Sequence, residues 1–214
     1  TWQTTISYAG ASGALSAALA NTPTGAATLI LEVVSGTVQL GGVDLKSSAS
    51  GVRVNKLCAS GSASNSWSLA ASSNSQWRSR INELGAKLHI IGLQTNDQGA
   101  GFDPDAAYTT QMGNIITALR LADPYCDILL TSPPENQRVA NAFPMSRYTA
   151  ATRALANAQN CAHLDHQFNF GVLPADYAWA NAARQWMNSD LIHPVTATGG
   201  AILTDAVLET LRPR

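Results

Sequence analysis

Two short runs hold the side chains best suited to chemistry: Asp190-Leu191-Ile192-His193-Pro194 near the C-terminus, and Gln94-Thr95-Asn96-Asp97 far upstream. A carboxylate three residues ahead of a histidine on a tight turn can meet the imidazole, fix its tautomer and stabilise the imidazolium formed when it takes a proton. His193 is then a general base and Asp190 its orienting partner. Pro194 fixes its own φ and disfavours helix at His193, which places the imidazole on an extended or turn-like loop. Asn96 carries an amide that can donate to a developing oxyanion, an interaction worth about 3 to 4 kcal/mol in hydrolases. Each run also has a structural reading. An Asp before a short turn often caps a helix, here one over residues 195–211, and Thr-Asn-Asp after a strand is a common turn. The two runs together, in this order and far apart, are harder to explain as caps.

The elements needed to position these groups can be read from the apolar pattern. Residues 87–93 form a short, largely apolar run typical of a buried parallel strand, ending in the polar cluster that contains Asn96. In open α/β sheets ligands bind outside the carboxyl ends of the strands, where Asn96 falls. A helix is predicted over residues 75–84, with Trp77, Ile81 and Leu84 on one face, and another over 105–120, with Tyr108, Met112, Ile115, Ile116 and Leu119 at helical spacing. A buried strand follows at 126–131, then a cleft-bordering loop opened by Ser132-Pro133-Pro134, an Ala-rich helix over 145–158 and a short strand and loop at 161–166. Strands alternating with helices argue for a parallel sheet with helices on both faces. The first fifty residues differ. Residues 27–34 are β-branched and apolar, 37–40 alternate, and 43–45 continue beyond Gly41-Gly42, which together read as a β-rich segment.

At this point the chain resembles the SGNH (GDSL-like) hydrolase family. That family carries a G-D-S nucleophile, a glycine that donates its backbone N–H, a G-x-N-D asparagine and a C-terminal D-x-x-H. Asn96 matches the third block, and Asp190 with His193 the fourth. Gly61, at the end of the run 52–61 that looks like the family's strand, turn and glycine, stands for the second and would be the other oxyanion donor. The resemblance covers about residues 51–211 and includes Ser66-Trp67. It implies a three-layer, parallel-sheet α/β hydrolase domain over 51–214, preceded over 1–50 by part of a β-sandwich-like accessory module. No G-D-S occurs in the chain. Ser12 in Gly10-Ala11-Ser12 is the nearest imitation, but its flank lacks the apolar strand such a turn caps. The resemblance therefore implies a nucleophile supplied by a piece outside this chain, or a unit without one.

Composition limits the partners. Charged residues make up 13% and the formal net charge is −1, so nothing draws the chain toward nucleic acid or an anionic membrane; neutral polymers such as glycans fit better. No stretch is long enough to span a bilayer, and a cleavable signal with a basic start is lacking, so any targeting segment was removed or lies upstream. The Ser, Thr, Asn and Ala content is of the kind seen in extracellular and virion proteins. Cys58, Cys126 and Cys161 are an odd set without metal-like spacing and read as free thiols, with a Cys126–Cys161 disulfide as the oxidising alternative. Cys58 is expected in a core or turn. His163 and His166, flanking Asp165, lack a third metal ligand, so no metal or cofactor is expected. Tyr177, Trp179 and Trp186 could stack on a sugar face, with core packing the other reading of Trp186. Two functions follow: an esterase, specifically a carbohydrate O-deacetylase using Asp190, His193, Asn96 and Gly61 with a serine from a separate fragment; or a glycan-binding or receptor-recognition domain that keeps the scaffold without turnover.

Overall fold

Three short runs make one parallel sheet, with β1 (Leu88–Ile91), β2 (Asp127–Ser132) and β3 (Ala162–Asp165) in that spatial order. The register pairs Leu88 with Asp127 and Leu129 with Ala162. Strand β2 is buried from Ile128 onward on both of its faces, as expected for the central strand of a sheet covered on both sides. The computed structural model describes residues 30, 32–37, 52–73, 75–136, 141–171 and 173–212.

Helices connect the strands. α1 (Ser64–Ser73) and α2 (Ser75–Leu84) precede β1, and α3 (Thr95–Gly99) follows it. A π-type turn at Pro104–Tyr108, with Asp103 accepting from the Asp105 N–H, leads into α4 (Thr109–Ala122). α5 (Met145–Ala158) lies between β2 and β3; α6 (His166–Phe170), a 3-10 turn at Pro174–Tyr177 and α7 (Gly199–Leu211) complete the unit. The main core is built from Tyr108, Met112 and Ile116 in the connection between β1 and β2, Ile128 and Leu130 from β2, and Tyr148 from α5. Tyr108 and Tyr148 meet edge to face, with ring centroids 5.3 Å apart. A second cluster, Phe170, Tyr177 and Met187 with Trp186, Ile202 and Leu203, joins α6 and α7 to the loop that carries His193.

The chain divides into two compact units, Thr1–Val54 and Asn55–Arg214. In the first, residues 30, 32–37 and 52–54 are described; they lie in no strand, and Ile30, Val33 and Val34 are exposed. This departs from the strand expected over 27–34. The rest of that segment, the strand at 43–45, nearly all of 37–40, and Ser12 lie outside the described residues. The strand expected just before Gly61 is not formed either. Residues 52–59 are irregular, with Val52, Val54 and Leu57 exposed, because no described strand lies beside them to complete a ladder. The free cysteines include Cys58, which is exposed and so lies in no core, buried Cys126 and half-buried Cys161.

Two stability predictions arise here. Burial lowers the affinity of His89, His163 and His166 for a proton, in His163 against the pull of Asp165 and in His89 against that of Asp123. All three are held below the ordinary value of 6.5, so above pH 6.5 they are neutral in both folded and unfolded chains. As pH falls below 6.5 the unfolded chain takes up protons first, and stability is lost. Thermal unfolding followed by circular dichroism should show Tm falling as pH drops from 7 toward 5; a flat Tm would contradict this. The second concerns Gly199 at the start of α7. A Cβ there would sit 2.2 Å from the Trp186 carbonyl oxygen and 3.1 Å from Pro194 Cβ. Gly199→Ala should therefore cost about 1 to 3 kcal/mol in urea unfolding, as overpacking against backbone does.

Candidate active site

The C-terminal pair sits at the tip of a stapled loop. Met187 and Pro194 form an antiparallel bridge, and the Val195 N–H donates to Trp186 O at 2.8 Å, so residues 186 and 195 close the base. Inside it the Asn188 N–H donates to His193 O at 2.8 Å, and the Leu191 N–H to Asn188 O at 3.0 Å. Leu191 takes a left-handed φ of 63°, which turns the chain back so that Asp190 and His193 face each other. Asp190 Oδ2 lies 2.6 Å from His193 Nδ1, while Oδ1 accepts the N–H groups of Ile192 and His193, each at 2.9 Å. These hydrogen bonds, the backbone ones foremost, hold the Asp190 carboxyl down to about 2. It is thus an anion throughout the working range and keeps Nδ1 protonated, leaving Nε2 as the basic nitrogen. The His193 side chain is 74% exposed, and among the described residues Asp190 is the imidazole's sole hydrogen-bonding partner.

The other half is built from two loops. Gly61 occupies a turn at φ 72°, closed by the Ser62 N–H donating to Ala59 O at 3.2 Å. Ser62 Oγ also donates to Ala59 O and accepts from Trp67 Nε1 at 2.9 Å. Asn96, exposed at the start of α3, donates one Nδ2–H to Ser62 O at 2.9 Å. That bond brings the Gly61 turn and Asn96 together and leaves the amide's second N–H for a ligand. Asp97, one residue on, faces the opposite way and is fully buried. Its carboxylate accepts from the Ser64 N–H at 2.9 Å, from Ser64 Oγ, and from the Gln94 N–H at 3.0 Å. It therefore caps α1 from 33 residues away and ties the Gly61 turn to the Asn96 loop.

Glu135, on the loop after β2, links the two halves. Its carboxylate accepts from Gln98 Nε2 of α3 at 3.0 Å and from the Met145 N–H, at the start of α5, at 2.7 Å. Its carbonyl accepts from Tyr177 Oη at 3.1 Å, and Tyr177 O accepts from the Met187 N–H at the base of the His193 loop at 3.3 Å. Burial pushes the Tyr177 phenol up to about 12, so it remains a donor. Sequence patterns could not reveal the Ser62 carbonyl, Ser64, Gln94 or Glu135, because the groups they meet at the site lie far away in the chain.

The aromatic expectations divide. Tyr177 is buried, edge to face with Phe170 at 5.3 Å, and is no ligand platform; this corrects its reading as a stacking residue. Trp186 is partly buried on the same Phe170 and carries Arg184 over its ring, while Trp179 is exposed. His163 Nε2 lies 2.8 Å from Ser132 Oγ, and Asp165 pairs with Arg153 at 2.9 Å. Among the described residues no group of His, Cys, Asp or Glu could hold a metal ion.

A parallel α/β unit with an Asp–His loop ahead of its last helix, and an asparagine beyond the carboxyl end of a strand, has the SGNH-hydrolase-like fold. Comparison with solved structures bears on the fold directly. The chain is similar to a peptidoglycan O-acetylesterase, at 18% identity and TM-score 0.54, over 64% of this chain and 40% of that one. It is also similar to a carbohydrate esterase family 3 protein from Talaromyces cellulolyticus, at 15% identity and TM-score 0.51, over 71% of this chain and 67% of that one. The chain thus spans less than half the length of the first. No protein-family model and no curated protein sequence matches it.

Proposed function

We propose that the protein is an ester hydrolase that removes O-acetyl groups from a carbohydrate, and that the nucleophilic serine comes from a segment other than the described residues. The observation that carries the reading is the His193 imidazole, oriented by an ionised Asp190 and presenting Nε2 to solvent. The serine hydroxyl would attack the acetyl carbonyl and pass its proton to His193 Nε2. Asn96 and the Gly61 N–H would bind the resulting oxyanion. Collapse expels the sugar oxygen, which leaves as the hydroxyl by taking the proton from His193; water then repeats the sequence on the acyl-serine and releases acetate. The carbohydrate assignment is supported by the near-neutral charge, the exposed Trp179, and a fold shared with a peptidoglycan O-acetylesterase and a carbohydrate esterase. An extracellular or virion setting fits such a polymer substrate.

One observation favours a second reading, a glycan-binding or receptor-recognition domain without turnover: among the described residues no hydroxyl or thiol reaches His193. Intact mass spectrometry after treatment with a fluorophosphonate, alongside p-nitrophenyl acetate turnover, separates the two. Label on a serine of the chain or of an associated polypeptide, with turnover lost in His193→Ala, supports the esterase. No label, and turnover equal to that of His193→Ala, leaves the binding domain.

A further inference from the structure

Gln94 has a backbone conformation that is costly for a residue with a side chain. Its φ of 106° lies on the glycine side of the map, at the position where the family pattern G-x-N-D has its glycine. The side chain is nonetheless 1% exposed and pinned inside the fold. Its Nε2 donates to Thr152 Oγ1 of α5 at 2.8 Å, with Ser132 Oγ and Thr131 O at the end of β2 at 3.2 and 3.3 Å. Thr152 Oγ1 is itself held by Tyr108 Oη at 2.9 Å and donates to Tyr148 O at 2.7 Å. The anchor therefore belongs to a fixed polar network in the core.

We infer that Gln94 is a positioning residue for Asn96: its buried amide holds the peptide after β1 in a left-handed turn that aims the Asn96 amide at Ser62 and the ligand. The turn directs the first residues of α3. With successive helical residues rotated by about 100°, the same turn that sends Asp97 into the core sends Asn96 outward. A glycine could adopt the φ but would not be held to it. In this chain, side-chain hydrogen bonds to β2 and α5 supply that restraint. The effect on turnover rests on the proposed role of Asn96 in binding an oxyanion, whereas the effect on the direction of Asn96 does not.

The test uses Gln94→Gly, which keeps the backbone conformation accessible and deletes the anchor, and Thr152→Val, which leaves residue 94 intact and removes its nearest acceptor. The first readout is the Asn96 side-chain NH₂ signal in ¹H–¹⁵N spectra, with its exchange against water. In Gln94→Gly this signal should move toward that of a free amide and exchange faster while core backbone signals stay in place; Thr152→Val should shift it less, in the same direction. An unmoved Asn96 signal in both variants, with the fold intact, overturns the proposal. The second readout is ester turnover, where kcat should fall about 10- to 100-fold in Gln94→Gly with KM unchanged, the scale expected for misplacing a catalytic group by an ångström. A moved Asn96 signal in the variants, where the wild-type protein hydrolyses no ester, upholds the positioning and rejects the esterase reading. A moved signal with unchanged kcat in an active protein overturns the functional part of the proposal.

Discussion

Replacing His193 by alanine is expected to lower the kcat for p-nitrophenyl acetate by on the order of 10⁴-fold or more while leaving the unfolding midpoint within error of wild type. The two halves of this expectation come from one geometry. The imidazole stands in solvent, so its removal opens no cavity, and the loop that bears it is closed by backbone bonds between residues 186 and 195 that do not involve the ring. Asp190→Asn should also cost turnover, on the order of 10⁴-fold, by a different route. The asparagine carbonyl oxygen can still accept from the Ile192 and His193 N–H groups, but an NH₂ then faces Nδ1. Nδ1 becomes the acceptor, the proton moves to Nε2, and the ring can no longer take one from a nucleophile. Asp190→Ala should behave like Asp190→Asn in rate but loosen the turn, visible as faster exchange of those two amide protons. Steady-state kinetics with both variants checks this, and wild-type turnover in His193→Ala would sink the acid–base assignment.

Asp97→Ala is expected to be the most destabilising single change near the site, at about 3 to 5 kcal/mol in urea unfolding. The carboxylate is fully buried and satisfies two backbone N–H groups, at Ser64 and Gln94, together with the Ser64 hydroxyl. Truncation leaves those donors without an acceptor, each orphan costing about 1 to 3 kcal/mol. It also unties α1 from the loop that holds Asn96. Asp97→Asn should cost less, because one oxygen remains to accept from Ser64 while the amide opposes the Gln94 N–H. Comparable stability of Asp97→Ala and Asn96→Ala would contradict this account, since Asn96 is exposed and makes a single bond to Ser62 O.

Much of the framework could be read from local pattern. Ser75–Leu84 and Met145–Ala158 coincide with their predicted helices because apolar residues recur there at helical spacing between clear boundaries. The central strand is displaced by one residue, to Asp127–Ser132, and β1 stops at Ile91 instead of Leu93, since apolar runs do not mark where a ladder ends. The helix predicted over 105–120 begins as a π-type turn and runs on to Ala122. Helix α1 was not predicted: its Ser/Ala composition carries no amphipathic signal, and its cap is an aspartate 33 residues downstream. Helix α6 is too short for periodicity to show, although Asp165 caps it from the Gln167 N–H. Over residues 52–59 the strand that the family resemblance implies does not form, because β-propensity needs a neighbour to pair with. At the site the division follows sequence distance. Asp190 and His193 are three residues apart and can be joined on paper. The bonds from Asn96 to Ser62 and from Gln94 to Thr152 span 34 and 58 residues, and no spacing rule announces them.

The exposure of His193 has a consequence for how a long substrate would be handled. A base buried at the end of a tunnel accepts only what can be threaded to it, and so trims chains from their tips. His193 rests on a hairpin tip with 74% of its side chain open to solvent, and nothing described encloses it. On the proposed polymeric substrate, and where the segment that brings the serine to Nε2 leaves this face open, such a base can meet an acyl group anywhere along the backbone. The expected pattern is endo-type deacylation at interior positions, with early products scattered along the chain and no progressive shortening of an acetylated block.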